Sequence, residues 1–588
     1  MRIIVNMFFF LLLLPGMGIY AQCSLYEVPL SRRVNSASLI IEGKVEEKKS
    51  FWNPETKRIY TLNKIEVFKV FKGSNSSAFI QILTEGGVLE NEMLFVSDFL
   101  SLDIGNVGVF VLTSSKLPGV INYYSDQIFE SVASKQGFIK YNPEDISATD
   151  VFNKYTNVEK KLYPLLSLKN QYKIIKAFNI AELRDDQNNS SRMIPLITGF
   201  LPMGVSAGTK ELLTIQGSGF GSSKGSGTVG FRNADDGGAS FVEPLPHQYI
   251  KWTNTEIVVE VPEDAGTGRI RVTQQTTATS QVTLVVLFSR INLIDNDKAY
   301  PANMVSNNPT GGYVWQMTEL FDLSKAAGAA FKRAFNTWKC NTGINWLIGD
   351  VAKVDVTKRD DINIIRFAAF NELPEGVLGT AFSYYSSCQE GRWYLSEMDI
   401  VFAPGVNWHY GTEMPGPFQI DMQTIALHEL GHAHQLGHVI DPSDIMHFSY
   451  NQGTQNLVLN ERNIEAGNLV MNESTTMKIC SFEPMEKIPL GICEISELSQ
   501  LNFKGLAIAP NPVRSMFKIK YTLAEKAAVS IEILNNLGQK VHVVFSENQT
   551  IGIYEYEVNL DGLNMANGIY YLRVYLNDVK FNYKIVRI

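Results

Sequence analysis

Alternation of hydrophobic and polar positions is the commonest pattern along this chain. In its first third, alternating patches rich in β-branched residues lie at Ser38–Val45, Lys64–Val70 and Val107–Leu112. Such patches predict strands that turn one face to a core. We therefore expect a compact β-rich N-terminal domain over residues 22–190. Its later part, residues 146–183, is more helical, and the polar run Arg184–Ser191 is typical of a linker.

Short strands punctuated by glycine occupy residues 195–288. They lie at Leu213–Gly221, Trp252–Pro262 and Gly266–Val272. Strands of this length at this spacing predict a β-sandwich. No catalytic residue is assigned to it.

The pattern changes over residues 290–475. Phe321–Trp338 has helical spacing, and two later segments, Asp361–Phe367 and Met398–Phe402, have the apolar character of strands. The mixture predicts an α+β domain. The expected buried face of the helix comprises Ala326, Ala329, Ala330, Phe331, Ala334, Phe335 and Trp338. Residues 476–505 are expected to form a linker, and renewed alternation over residues 506–588 predicts a small β-sandwich.

Composition agrees with a multidomain globular protein. The 588 residues are 45% hydrophobic and 19% charged, and at about 150 residues per domain they correspond to roughly three to five domains. The net charge of −8 and the absence of a basic run argue against nucleic acid as a partner.

The N-terminus has the layout of a secretory signal peptide. Arg2 precedes the apolar block Met7–Leu14, and the small residue Ala21 follows, which predicts a signal peptide over residues 1–21. The apolar block is shorter than the roughly 20 residues of a membrane-spanning helix, and no later stretch is long enough. We therefore expect an exported protein without a transmembrane helix after signal removal.

Export permits disulfide bonds. Cys340 and Cys388 both precede the histidine-rich region, and Cys480 and Cys493 are 13 residues apart. We expect these two pairs, although four cysteines allow three connectivities. Cys23 is left without a partner in this scheme.

Six of the eight histidines lie between His409 and His447, which suggests a metal site. His428 and His432 are four residues apart on a helix-compatible stretch, so they point from the same helical face. Glu429 follows the first of them, where a carboxylate can approach a metal-bound water. His438 can complete the set after a turn at Leu436–Gly437. Three nitrogen ligands and one open position are typical of a catalytic zinc ion.

Other polar residues near this motif leave alternatives. Glu461 or Glu465 is an alternative third ligand, but His438 fits better because Met446 follows it by eight residues. His434 lies two residues after His432, so we expect a solvated side chain on another helical face. We expect structural roles for His409 and count His447 as a neighbour of the site.

Together these residues resemble the metzincin metallopeptidases, and the spacing from His438 through Asp441-Pro442 to Met446 is most similar to the matrixin branch. The helix ending at Trp338 and the two predicted strands follow in matrixin order. The resemblance implies that His428, His432 and His438 bind zinc (Zn2+), that Glu429 is the general base and acid, and that Met446 makes the turn beneath the metal. It also assigns Tyr450 to the wall of a substrate pocket. Calcium (Ca2+) is a further candidate cofactor to which the sequence assigns no residues.

The chain departs from the matrixin pattern at several positions. Gln435 replaces a glycine that ends the helix in a left-handed conformation, at a cost of about 1–2 kcal/mol. His447 and Phe448 replace a Tyr-Pro pair, so cleavage preference does not carry over. Phe448 and Val439 also separate the chain from the astacin branch. A Pro-Arg-Cys-Gly propeptide switch is missing, so if the enzyme is latent, another group must cover the zinc. Whether residues 22–190 inhibit it stays open.

Two further segments resemble known modules. Residues 195–288 resemble immunoglobulin-like IPT/TIG domains through Gly217–Gly221 and Trp252–Pro262. Residues 506–588 resemble the type IX secretion C-terminal sorting domain of Bacteroidetes through Pro510–Pro512, Asn535–Gln539 and Gly568–Leu572. The second resemblance implies export by the type IX machinery and a secreted or surface location in a Gram-negative bacterium.

The sequence thus predicts a secreted zinc endopeptidase that acts on proteins or peptides. The alternative is a surface adhesin in which the metallopeptidase-like domain only supports binding by the β-modules. The intact Glu429 favours the enzyme, because a non-catalytic descendant would not need the base.

Overall fold

The computed structural model describes twelve ranges of the chain: 25–118, 128–143, 145–167, 171–183, 194–389, 391–488, 503–523, 527–535, 539–550, 552–563, 565–576 and 579–588. The expected signal peptide, Cys23, the linker Arg184–Ser191 and Cys493 lie outside these ranges. The chain divides into two compact units, Met1–Gly491 and Ile492–Ile588, which are described separately.

The N-terminal part of the first unit is β-rich, as the alternation predicts. Nine strands form one sheet in the order β1-β2-β3-β7-β6-β8-β9-β10, with β11 on β2, and β1 also pairs with β6. The elements are α1 (Leu30–Ser36), β1 (Leu39–Asn53), β2 (Arg58–Lys72), β3 (Phe79–Glu85), β4 (Gly87–Leu89), β5 (Glu92–Val96), β6 (Val107–Ser114), β7 (Ile128–Ser131), β8 (Phe138–Asn142), β9 (Ser147–Thr149), β10 (Lys154–Thr156), α2 (Tyr163–Leu166) and β11 (Lys173–Ile174), with short 3-10 helices at Ser134–Gly137 and Ile180–Leu183 and a π-helix at Val158–Leu162.

The next segment forms small sheets around one apolar core. The sheets are ordered β12-β14-β18-β17, β16-β15-β19-β20 and β13-β21, and inward residues such as Ile215, Phe231 and Val259 are fully buried. The strands are β12 (Leu196–Leu201), β13 (Gly204–Ala207), β14 (Leu212–Ser218), β15 (Thr228–Asn233), β16 (Phe241–Val242), β17 (Tyr249–Trp252), β18 (Glu256–Glu260), β19 (Ala265–Thr273), β20 (Thr277–Thr279) and β21 (Val285–Ser289), with 3-10 turns at Ala234–Asp236 and Pro246–Gln248.

The third part is a mixed sheet covered by helices. Its elements are β22 (Asn292–Asp295), β23 (Lys298–Pro301), β24 (Tyr313–Met317), α3 (Glu319–Leu323), α4 (Lys325–Thr342), β25 (Trp346–Ile348), β26 (Asn363–Phe367), β27 (Gly379–Ser387), β28 (Trp393–Phe402), β29 (Trp408–His409), β30 (Ile420–Asp421), α5 (Met422–Ala433) and α6 (Glu461–Ser474). The sheet has the order β25-β24-β26-β28-β27-β5-β4. Its last two strands therefore come from the N-terminal part of the chain.

The predicted helix Phe321–Trp338 is in fact two helices, α3 and α4, separated at Ser324. Phe331, Ala334 and Trp338 are buried as expected. The expectation for Ala326 was wrong, since this residue of the first turn is exposed and the next residue, Ala327, is buried instead.

The expected cysteine pairs were also wrong. Cys388, at the end of β27, is bonded to Cys480, which follows α6, with their Cα atoms 5.7 Å apart. Cys340 is disulfide-bonded as well. Proximity along the chain failed as a guide because the fold brings together two segments 92 residues apart.

The second unit consists of two sheets, ordered β31-β32-β35 and β34-β33-β36-β37. Its strands are β31 (Phe503–Ala509), β32 (Met516–Leu523), β33 (Ala527–Leu534), β34 (Lys540–Gln549), β35 (Gly552–Asn559), β36 (Gly568–Leu576) and β37 (Val579–Arg587). Within the described ranges of both units, no helix combines the length and the apolar character needed to cross a membrane.

Candidate metal centre and active site

Helix α5 carries the histidine motif and is defined at both ends. The Asp421 carboxylate caps its start by accepting a hydrogen bond from the Thr424 amide at 2.7 Å. At its end Gln435 adopts the left-handed conformation, with φ of 69°, as its place in the motif predicted. The Leu436 amide then donates to the Gly431 carbonyl at 3.0 Å, which closes a Schellman turn. This turn redirects the chain toward His438.

The three predicted ligands, His428, His432 and His438, converge in a buried group. Each ring is oriented through its Nδ1 atom. Nδ1 of His428 lies 2.8 Å from the Ile445 carbonyl, and Nδ1 of His432 lies 2.9 Å from the Leu436 carbonyl. Because a carbonyl only accepts hydrogen bonds, both Nδ1 atoms carry the proton, and Nε2 of each ring carries the lone pair that can bind a metal ion.

The Nε2 atoms meet as a metal ion would require. Nε2 of His432 lies 2.9 Å from Nε2 of His428, and Nε2 of His438 is buried without a hydrogen-bond partner. Burial and the adjacent imidazoles hold the pKa of His428 and His432 well below 6.5, so both rings are neutral. Three imidazole nitrogens facing one point fit a zinc ion, which would offset the cost of burying them.

A fourth side chain, from outside the domain, joins this group. The Asp98 carboxylate, 1% exposed, places one oxygen 3.9 Å from Nε2 of His428 and the other 3.7 Å from Nε2 of His438. One ligand atom from each of the four residues lies within 4.8 Å of the others. Sequence reasoning missed Asp98. The available signal was an aspartate two residues after the continuous apolar run Met93–Val96.

Glu429 is fully buried beside the histidines. Its Oε2 atom accepts a hydrogen bond from the Ser97 hydroxyl at 3.0 Å. Gly379 leaves room for it, because a β-carbon at that position would lie 3.0 Å from Oε1 of Glu429. Glu429 is thus held in place at the start of the histidine motif.

Met446 packs against α5, with its sulfur facing Gly431. It is 2% exposed, and its amide donates to the Asp444 carboxylate at 2.8 Å. The Val439 amide donates to the Met446 carbonyl at 2.9 Å. The turn is therefore tied to the residue that follows His438.

The third ligand is oriented by a carboxylate from the preceding β-domain. Nδ1 of His438 lies 2.6 Å from Oδ1 of Asp235, in the turn after β15. The Lys135 ammonium of the N-terminal domain lies 2.9 Å from the other oxygen of Asp235. Burial alone would raise the pKa of Asp235, but Lys135 and His438 hold it well below 3.8, so this residue is an anion. The sequence assigned no site to residues 195–288, so this contact between Asp235 and His438 was missed.

Other sequence expectations near the motif have mixed outcomes. His434 is not solvated: its side chain is fully buried, Nε2 lies 2.9 Å from the Thr342 hydroxyl, and burial lowers its pKa to about 3. The expectation failed because α4 covers this second face of α5. His409 has a structural contact, with Nε2 2.8 Å from the Glu413 carbonyl.

The alternative ligands and the pocket residue can also be placed. Glu461 and Glu465 are exposed on α6, outside the ligand group. Tyr450 is 4% exposed, and its hydroxyl accepts from the Asp421 amide and donates to the Thr454 carbonyl, both at 2.8 Å. Tyr450 thus braces the start of α5, and its place in a substrate pocket stays a prediction. His447 lies beside the site with Nδ1 3.2 Å from the Val439 carbonyl.

Two family models match the chain. Residues 315–468 match the model described as Matrixin, and residues 507–587 match the model described as Secretion system C-terminal sorting domain. The chain therefore contains a matrixin domain and a type IX sorting domain, and it is a secreted or cell-surface protein of Bacteroidetes. No curated protein matches.

The similar solved structures have low sequence identity to this chain and low TM-scores. A structural genomics protein of unknown function from Bacteroides thetaiotaomicron shares 20% identity over 16% of this chain and 22% of its own, with a TM-score of 0.14. Dimeric latent PorU from Porphyromonas gingivalis shares 10% identity over 66% of this chain and 32% of its own, also with a TM-score of 0.14. A BSP domain of a biofilm associated protein shares 10% identity over 98% of this chain and 84% of its own, with a TM-score of 0.12. The chain thus spans less than a third of the length of the first two.

Proposed function

We propose that this matrixin-domain protein is a secreted zinc endopeptidase that uses Glu429 as its general base. The observation that carries the proposal is the convergence of three imidazoles, those of His428, His432 and His438, beside the buried Glu429 carboxylate. The matrixin match at residues 315–468 supports a zinc-dependent peptidase. Residues 195–288 are interpreted as an IPT/TIG-like immunoglobulin-like domain.

The positions of the side chains suggest a role for each of them in peptide hydrolysis. Zinc bound by the three histidines would polarise the scissile carbonyl and bring the pKa of a bound water toward neutrality. Glu429 takes the proton of the attacking water and passes it to the leaving amine. The carbonyls of Ile445 and Leu436 and the carboxylate of Asp235 keep the imidazoles in the tautomer that binds metal through Nε2.

The substrate is a protein or peptide in extended form. Strand β27 lies at the edge of the catalytic domain's own strands, and β5 pairs with it antiparallel over Phe382–Ser386. This pairing supports β27 as a surface that accepts an extended chain by main-chain hydrogen bonds. A calcium site has no residues assigned to it.

The test combines metal content with turnover. Elemental analysis of the purified full chain should find about one zinc per chain, and His432→Ala should lose it, whereas the exposed His247→Ala should keep it. Casein digestion is measured for the full chain and for Asp98→Ala, each with and without Glu429→Gln. We expect Glu429→Gln to keep zinc and abolish turnover.

Two results would overturn the proposal. One is a wild-type chain without zinc under conditions where it is folded. The other is turnover that survives Glu429→Gln. A zinc-bearing chain with no peptidase activity in any form would favour the adhesin alternative.

A further inference from the structure

We propose that the N-terminal domain locks this centre in a latent state, with Asp98 supplying the fourth metal ligand. The proposal rests on the proposed function, because it assumes zinc at the three histidines. It concerns a segment far outside the matrixin match, residues 92–98 of strand β5 and the turn that follows. The supporting observations are a strand in the cleft, a hydrogen bond on the base and a carboxylate among the ligands.

The first observation is that β5 completes the catalytic sheet. It pairs antiparallel with β27 from Glu92 opposite Ser386 to Val96 opposite Phe382. The pairing continues beyond the strand, since the Ser97 amide donates to the Ala381 carbonyl at 3.1 Å. The Thr380 hydroxyl also donates to the Ser97 carbonyl at 2.8 Å. The segment therefore occupies the edge on which an extended substrate would have to lie.

The second observation is that this pairing delivers two side chains to the chemistry. The Ser97 hydroxyl donates to Oε2 of Glu429, so the base is already engaged. The next residue, Asp98, places its carboxylate among the three histidines. A carboxylate oxygen is a good zinc ligand, and a fourth protein ligand closes the tetrahedral shell that a catalytic site leaves open. A water and a substrate carbonyl are thereby both excluded.

The third observation is that Asp98 is held in place by its own domain. Its backbone is left-handed, with φ of 60°, a conformation that aspartate tolerates better than most residues. The Asp98 carbonyl accepts from the Ser134 hydroxyl at 3.0 Å, and that hydroxyl accepts from the Leu100 amide at 3.1 Å. Contacts within the N-terminal domain therefore hold this turn in its conformation.

The same domain also contacts the catalytic domain at a second place. The Tyr450 amide donates to the Leu25 carbonyl at 2.9 Å, and the Tyr26 amide donates to the Gly376 carbonyl at 2.9 Å. Gln136 links this segment to the N-terminal domain, since its side-chain amide donates to the Tyr26 carbonyl at 3.0 Å. Activation must therefore break both sets of contacts. The missing Pro-Arg-Cys-Gly switch is accounted for, because a carboxylate takes the role that a thiolate would have had.

The test asks whether Asp98 blocks access to the metal. A peptidyl hydroxamate, which needs an open coordination position, is titrated against the zinc-loaded full chain. We expect Asp98→Ala and the isosteric Asp98→Asn to bind it at least tenfold more tightly than wild type and to cleave casein at least tenfold faster. Asp103→Ala, an exposed aspartate of the same segment, is the matched control and should behave as wild type.

The outcomes distinguish the proposed blocking role of Asp98, called the latch, from the proposed peptidase function. Zinc-loaded Asp98→Ala and Asp98→Asn with wild-type hydroxamate affinity would overturn the latch and leave the proposed function standing. Absence of zinc from every form would overturn both. The Asp98→Asn variant guards against a folding defect in Asp98→Ala, since it keeps the size of the side chain.

A separate observation concerns Asp235. We infer that this residue of the β-domain is a positioning residue for zinc, acting through His438. Metal-bound histidines commonly donate their second ring nitrogen to a carboxylate, which fixes the ring and raises its basicity. His428 and His432 use carbonyls of the matrixin domain for this purpose, whereas His438 uses a carboxylate 203 positions earlier in the chain.

Close packing supports this role. The Gly437 amide, one residue before the ligand, donates to the Ser289 carbonyl at 3.0 Å. A β-carbon at Gly266 would lie 2.5 Å from Cδ1 of Ile440, two residues after the ligand. The β-domain therefore fits against the backbone on either side of His438, which gives Asp235 a fixed distance to the ring. The metal centre is complete only when both domains are present.

The readout is zinc affinity in a metal-buffered competition assay on the full chain. Asp235→Ala should weaken zinc binding by about 10- to 100-fold. Asp235→Asn, which keeps a neutral acceptor, should lose less. Asp350→Asn, at an exposed aspartate outside the group of possible metal ligands, is the control. In a His438→Ala background, Asp235→Ala should have no further effect. Wild-type affinity in Asp235→Ala, or an undiminished loss in the His438→Ala background, would overturn the inference.

Discussion

The sulfur of Met446 lies where a side chain on Gly431 would begin. A β-carbon at Gly431 would be 2.2 Å from Sδ of Met446, far inside van der Waals contact. The glycine lies one residue before His432, in the last turn of α5. The Met-turn and the ligand helix are therefore matched in shape, and a one-carbon change at either residue is felt at the metal.

Gly431→Ala should destabilise the protein although alanine is the better helix former. Overpacking typically costs about 1–3 kcal/mol, which exceeds the gain of about 1 kcal/mol in helix propensity. Gly328 in α4 is the matched control, because a β-carbon there would meet only Sδ of Met317, at an ordinary 3.7 Å. Gly328→Ala should be neutral or stabilising. Urea unfolding of both variants measures the contrast, and equal effects would contradict it.

Gln435 adopts a left-handed backbone conformation that favours glycine, and a side-chain hydrogen bond offsets the cost. Gln435→Gly should gain about 1 kcal/mol by relieving the left-handed strain. However, the Tyr385 hydroxyl donates to Oε1 of Gln435 at 2.9 Å in a fully buried place. Losing that acceptor costs about 1–3 kcal/mol, so the single variant should be no more stable than wild type. Adding Tyr385→Phe should recover stability, and thermal unfolding of the four proteins forms the cycle that tests this.

Stability should also depend on pH through Glu397. The residue is fully buried in β28, and burial raises its pKa to about 8. The unfolded carboxyl titrates near 4.5, so between pH 4.5 and about 8 only the folded state holds the proton. Stability therefore falls as pH rises through this window, by up to about 1.4 kcal/mol per pH unit.

Glu397→Gln should remove that dependence, because the neutral amide still accepts from the Asp360 amide, which donates to Glu397 at 2.8 Å. Urea midpoints of both proteins from pH 5 to 9 should diverge with rising pH in favour of the variant. Glu461→Gln, at an exposed site on α6, should track wild type. Parallel curves for Glu397→Gln and wild type would show that Glu397 is already ionised in the folded protein.

The disulfide between Cys388 and Cys480 closes a long loop across the matrixin domain. The cysteines are 92 residues apart. In the chain-entropy account, cross-linking a loop of that size lowers the entropy of the unfolded chain and so stabilises the folded state by up to about 4–5 kcal/mol. The paired replacement Cys388→Ser with Cys480→Ser should lower the unfolding temperature accordingly. Zinc content should be unchanged, since neither cysteine is among the ligand residues. A variant with wild-type unfolding temperature would contradict the expected stabilisation.

The sequence predicted the features that depend on residues close together in the chain, and it missed those that depend on contacts between distant segments. Helix α5, its left-handed end at Gln435 and the convergence of His428, His432 and His438 follow from local spacing, so sequence was sufficient. Asp98 and Asp235 reach the site through contacts between domains, and no local periodicity encodes which domain surfaces meet.

The errors have the same origin. His434 was expected in solvent because helical spacing alone gives no partner for its face, and α4 supplied one through Thr342. The cysteine pairs were assigned by proximity along the chain, whereas the fold joins Cys388 to Cys480. Burial by a distant element is the information that a single sequence lacks.

Strands β4 and β5 have a second consequence as the last members of the catalytic sheet. An uncovered strand edge such as β27 exposes unpaired amides and carbonyls, and such edges promote self-association. While β5 is paired there, this edge of the enzyme is covered. The contact that would keep the enzyme inactive therefore also protects the chain from self-association before it is secreted.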